Sequence, residues 1–83
     1  MMNDTTQSIT AMVDAAIYDV YLEVQPSFVE AIRDAMAFGQ SPAQIERQMR
    51  RRFGSTQIVR NVRHIAEHIQ RNGLAQERNH AAT

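Results

Sequence analysis

The sequence predicts an all-α fold, a compact bundle of four short helices, and three observations carry that prediction. Apolar residues recur at intervals of three and four along most of the chain. No stretch alternates apolar and polar residues as a half-buried strand does. Residues that stop or start helices, among them Pro26, Gly39, Ser41, Pro42, Gly54 and Gly73, divide the chain into four segments. With 83 residues, 43% of them hydrophobic and 22% charged, the composition is that of one small folded domain. Residues 1–4 are expected to form a flexible N-terminus, 5–73 a single helical domain with a helix-turn-helix-like core, and 74–83 a flexible C-terminal tail.

The first helix is expected over about 5–24. Asp4 to Thr6 offer capping side chains, and Gln25-Pro26 stops it, because proline lacks the N–H that a continuing helix needs. Ser27-Phe28-Val29-Glu30 has the form of a capping box for a second helix, 27–38. In that device the serine oxygen accepts from the third backbone N–H while the glutamate reaches back. Gly39 ends the segment. Ser41-Pro42-Ala43-Gln44 repeats the device for a third helix, 42–53, with Pro42 at the first helical position where its missing N–H costs nothing. Gly54 closes it, and a fourth helix, 55–72, runs from near Ser55 to Gly73, a residue suited to a left-handed C-cap.

Steps of about 100° per residue then assign faces. Phe28, Val29, Ile32, Ala35 and Met36 share one side of the second helix; Ile45, Met49 and Phe53 do so on the third. On the fourth, Ile58, Val62, Ile65 and Ile69 form the stripe, flanked by Val59 and Ala66. On the first, Ile9, Val13, Ala16, Ile17, Val20 and Val24 make the face expected to enter the core. Its opposite side carries a second stripe, Ala11, Ala15, Tyr18 and Leu22, at spacings of four, three and four. Two alanines there would admit another helix closely, so this stripe is expected to be a homodimer seam or a partner groove, the alternative being a small domain that wraps the helix on both sides.

The net charge is zero, yet the halves differ. Residues 1–39 hold six acids against Arg33, a net of −5; residues 40–83 hold eight arginines against three glutamates, a net of +5. There is no lysine, and Arg50-Arg51-Arg52 stand in a row. Asymmetry of this kind fits either an anionic partner for the basic half or halves that neutralise each other across the fold. With Ile45, Met49 and Phe53 inward, Gln44, Arg47 and Arg51 point outward, and Gln48 and Arg50 lie on the shoulders. Arg60, His64 and Arg71 are expected on the outer side of the fourth helix, with Glu67 among them. Arginine forks to guanine or phosphate and glutamine pairs with adenine, which suits such a surface to a DNA groove.

Residues 34–49, DAMAFGQSPAQIERQM, resemble the helix-turn-helix of bacterial and phage DNA-binding proteins. That family places a small residue at the helix crossing, a large apolar residue and glycine at the turn, then a serine or threonine cap and a buried aliphatic. Ala35, Phe38, Gly39, Ser41 and Ile45 stand at those intervals, while Asp34 and Gln48 depart from the apolar residues usual at their places. The resemblance implies a transcription regulator whose helix 42–53 reads double-stranded DNA through Gln44, Arg47, Gln48 and Arg51, with Arg50 and Arg60 extending the basic surface. A second register, turning at Gly54, fits less well because Arg50 would fall at the crowded crossing.

His64-Ile65-Ala66-Glu67-His68 matches the H-x-x-E-H pattern of one zinc peptidase class. A catalytic zinc needs a third ligand and a cleft, whereas 15 residues follow His68 and hold one acid, Glu77. Glu67 is expected instead to pair with Arg63 and Arg71, each four residues away. Glycine-rich phosphate loops, nucleophile elbows and calcium loops are all missing, and with no cysteine there is no disulfide or thiolate site. The expectation is a protein without catalysis, metal, cofactor or small-molecule substrate. No apolar run approaches the roughly 20 residues that span a bilayer and no leader opens the sequence, so a cytoplasmic protein with no membrane role is expected.

A second class of function fits the same features. In size and plainness the chain looks like the small inhibitors that bacteriophages encode against host machinery, the anti-CRISPR proteins among them. This reading makes the chain an inhibitor or adaptor that binds a host protein through the first helix and the charged faces.

Overall fold

The computed structural model describes residues 2–74, with side chains from Ile9 onward. Four helices follow one another: α1 (Met2–Val24), α2 (Pro26–Ala37), α3 (Pro42–Phe53) and α4 (Gln57–Asn72), with no strand among the described residues. Helix α4 packs against the other three, while α1 and α3 lie against different parts of it and do not meet. The all-α bundle expected from the sequence is the observed architecture. The flexible termini assigned to 1–4 and 74–83 fall largely outside what is described. Residues 75–83 lie beyond it, and α1 is already helical at Met2.

The corners follow from local chemistry. Proline forces the residue before it out of the helical region, and Gln25 accordingly sits at φ −141° and ψ 65°, breaking α1 from α2. Pro26 itself takes a first-turn position of α2, which moves Ser27 inside the helix, so the expected Ser27–Glu30 capping box does not form. The second device does form. Ser41 Oγ accepts from Gln44 N at 3.2 Å, and Gln44 Oε1 accepts from Ser41 N at 2.8 Å. Between α2 and α3, Gly39 holds φ +99°, a value L side chains rarely adopt, and the Gln40 N–H closes back onto Ala35 O at 3.2 Å. The cap of α4 is Thr56, whose Oγ1 accepts from Val59 N, and its left-handed C-cap is Gly73, as expected.

Val29, Val59, Val62, Ile65, Ala66 and Ile69 are sealed from solvent, with Ile32 and Ile45 nearly so. Burying each branched side chain contributes on the order of 1.5–3 kcal/mol, so α4 is the spine of the domain. Met49 and Leu74 pack at the edge of this core, although Leu74 was expected in the tail. Phe53 and Ile58, expected inside, stand exposed beside the α3–α4 corner, where Val59 enters instead.

The largest difference from the sequence expectation is the rotation of α1. Tyr18 is 5% exposed and Asp14 2%, with Ala11, Ala15 and Tyr21 partly covered beside them. The stripe expected to meet a second chain is therefore mostly the inward face; Leu22 sits at its exposed margin. The stripe expected inside, Ile9, Val13, Ala16, Val20 and Val24, faces out, and only Ile17 is partly buried. The reason is the surface that α4 offers. Its flank toward α1 carries Asn61, His64, His68 and Arg71, which match hydroxyls and a carboxylate, not valines.

Candidate functional site

The fold gathers two groups of polar side chains, one on α3 and one between α1 and α4. On α3 the capping box fixes the first turn, and Ile45 with Met49 anchors the inner side. This turns Arg47, Gln48 and Arg51 to solvent, with Arg52 also exposed. Gln44 is exposed too, but its side-chain carbonyl is held by the cap.

The arginines then separate by partner. Glu46 receives Arg50 on Oε2 at 2.8 Å and Arg63 of α4 on Oε1 at 2.9 Å. Arg63 also donates from Nε to Glu67 at 2.8 Å. The paired carboxylates, Glu67 foremost and then Glu46, hold the Arg63 proton more tightly than usual. A chain of charges thus runs Arg50, Glu46, Arg63, Glu67 across the α3–α4 contact. Arg47, Arg51, Arg52 and Arg60 make no ion pair among the described residues and are all exposed. Of the residues expected at DNA, Arg47, Gln48, Arg51 and Arg60 are open to a ligand, while Arg50 is tied to Glu46 and Gln44 to Ser41.

Departures from a helix-turn-helix appear at the turn. Phe38, the large apolar residue that the pattern would bury, is 88% exposed as the C-cap of α2. Helices α2 and α3 leave a groove of about 390 Å³ between them, lined by Phe28, Ala31, Ala35, Gln48, Met49 and Phe53 among others. Ala35 and Ile45 do face this junction, as the pattern asks.

The second group is a polar seam along the antiparallel α1 and α4. Asp14 Oδ1 meets His64 Nδ1 at 2.8 Å, and Asp14 Oδ2 accepts from Arg71 Nη1 at 3.1 Å. Four residues further along α1, Tyr18 stacks on His68 with ring centroids 4.5 Å apart, and its hydroxyl accepts from Arg33 of α2. Tyr21 accepts from Asn61 Nδ2 at 2.8 Å. Burial, with a smaller push from Arg71, lowers the His68 pKa below its usual 6.5, against the opposing pull of Asp19 and Asp14. His64 and Arg71, expected on the outer surface, do keep about two-fifths of their side chains exposed, and each also reaches the buried Asp14 carboxylate. This seam joins residues 40 to 57 positions apart, which no local pattern in the sequence marks. Its one trace is Asp14 lying on the same face as Ala11 and Tyr18, where a surface acid would not be placed.

The H-x-x-E-H residues go separate ways: His64 to Asp14, His68 to Tyr18 and Asn72, and Glu67 to Arg63 but not Arg71. Among the described residues no group of three or more His, Asp or Glu side chains is placed to hold a metal ion. No described helix is long and apolar enough to cross a membrane. Comparison with protein-family models, curated proteins and solved structures gives no match. The class is thus defined by the fold, an α-helical bundle with one basic helix face.

Proposed function

We propose that this chain is a DNA-binding regulator of helix-turn-helix-like form, in which α3 approaches the duplex and presents Arg47 and Arg51. One observation carries the reading: those two guanidinium groups stand exposed on a capped, anchored helix with no acidic partner among the described residues. Their neighbour Arg50, by contrast, is occupied by Glu46. A cation left unpaired on a capped helix is available to phosphate or to a guanine edge. Gln48 supplies an amide beside them, and Arg52 and Arg60 widen the positive surface.

The test is a salt series of binding to random duplex DNA, for the native chain and for Arg47→Ala/Arg51→Ala. Each phosphate neutralised contributes about 0.9 to the slope of log K against log salt, so the double variant is expected to be shallower by about 1.8. No binding at low salt, or an unchanged slope, rejects the reading.

A second reading is favoured by the groove between α2 and α3 and by the exposed Phe38 at its turn. An amphipathic helix of a host protein would fit such a groove, making the chain an inhibitor or adaptor of the small phage-encoded kind. In that case Met49→Glu abolishes function while Arg47→Ala/Arg51→Ala leaves it intact.

A further inference from the structure

The outward face of α1 has no partner among the described residues, and its side chains are arranged as a seam. Ile9, Val13, Ala16 and Val20 follow at steps of four, three and four, the spacing that keeps a line of side chains against a neighbouring helix. Met12 and Val24 widen the line. Ile9, Met12, Val20 and Val24 are each more than half open to solvent. Together these six residues expose on the order of 500 Å², toward the upper end for the largest apolar patch of a monomer. Two such faces laid together remove at most about 1,000 Å² from water, the floor for a specific interface. Residues 75–83 hold no apolar side chain larger than alanine to lay over this surface.

We propose that this face binds a second copy of the chain, α1 against antiparallel α1, with the twofold axis at Ala16. The alanine is the smallest residue of the line and lets the two helices come close at the axis. Charge favours the antiparallel sense for both exposed acids that flank this face, Asp19 and Glu23. A parallel pair sets each against its own copy, whereas the antiparallel pair parts the two Asp19 by about 9 Å along the axis and the two Glu23 by more. Glu23 comes three residues after Val20 and stands at the edge of the same face. In a parallel pair each Glu23 meets its own copy. In the antiparallel pair the two stand seven residues either side of the axis, about 21 Å apart at about 1.5 Å per residue. That separation exceeds a screening length of about 8 Å in physiological salt. The inference is independent of DNA binding, since it uses neither α3 nor its arginines.

Sedimentation equilibrium of the native chain and of Val13→Glu/Val20→Glu tests it, with circular dichroism to follow helix content. The native chain is expected at twice its 9.5 kDa mass. In the variant, retained helix content with dissociation raised more than about 100-fold is expected, because carboxylates would be desolvated at the seam. A native chain that stays monomeric at about 100 µM, or a dimer indifferent to both glutamates, overturns the proposal. Because the chain has no cysteine, disulfide trapping is clean. Ala16→Cys is expected to link to itself, and Met12→Cys to link to Val20→Cys in a mixture but poorly to itself. Efficient self-linking of Met12→Cys would overturn the antiparallel arrangement. Loss of DNA binding in Arg47→Ala/Arg51→Ala with the dimer unchanged separates the failure of either reading from the other.

Discussion

Along α1 the inward face is the more polar of the two, and the outward face is the more apolar. Inward, Asp14, Tyr18 and Tyr21 each find a named partner on α4. Outward, Ile9, Val13 and Val20 find none among the described residues. Helix α4 behaves in the ordinary way, burying Val62, Ile65 and Ile69. Amphipathicity alone thus does not orient a helix when its neighbour offers donors and a ring to stack on. A buried polar group left unmade costs more than an exposed valine does. The domain therefore buries the face whose polar atoms it can satisfy, and leaves the apolar face exposed.

The strongest way to break this arrangement is to strand Asp14. His64→Leu/Arg71→Met keeps the volume roughly constant but leaves a sealed carboxylate without either partner. The expected loss is about 3–5 kcal/mol, since removing the partners of a buried charge costs more than the pair contributes. Asp14→Ala should cost less, about 1–2 kcal/mol, because His64 and Arg71 are each about two-fifths exposed and rehydrate. Urea midpoints at one fixed protein concentration measure both. Equal losses would show that the seam acts through packing rather than charge.

Part of this molecule is legible in its sequence and part is not. Four helices and most of their ends are, because Pro26, Gly39, Ser41, Pro42 and Gly73 act through local backbone chemistry that needs no tertiary partner. The Ser27–Glu30 box misled because Pro26, one residue earlier, takes the first-turn position. The outward setting of Arg47 and Arg51 is legible too, being fixed by Ile45 and Met49 on their own helix. The facing of α1 is not. Both of its stripes have helical spacing, and the choice depends on residues 50 and 57 positions away in sequence, His64 and Arg71 against Asp14. Phe38 shows the same limit: its spacing after Ala35 fits a turn motif, but no neighbour arrives to cover it.

A gentler probe of the same seam is pH. Burial lowers the His68 pKa below 6.5, so the folded chain holds this imidazole neutral where the unfolded chain protonates it. Stability from this residue is fully present above about pH 6.5 and is lost as pH falls toward the lower folded value, because there the unfolded state binds more protons. Thermal midpoints should fall between about pH 7.5 and 5.5. His68→Gln is expected to flatten that fall, since it removes the titrating ring from beside Tyr18, Asp14, Asp19 and Arg71. A slope unchanged by the substitution would place the pH dependence elsewhere.

The smallest effect belongs to the outward face, and its smallness is what makes it informative. Val20→Ser removes an apolar side chain already more than half in water. At protein concentrations low enough for monomers, the unfolding free energy should change by less than about 0.5 kcal/mol, as for surface sites in general. At high concentration the native chain should gain stability that the variant lacks, because association adds to the folded state by mass action. Two denaturation series, dilute and concentrated, therefore separate what α1 does for its own domain from what it does for a second. If Val20→Ser destabilised the dilute chain by more than about 1.5 kcal/mol, as burial of a valine would require, the two faces of α1 would have been assigned the wrong way round.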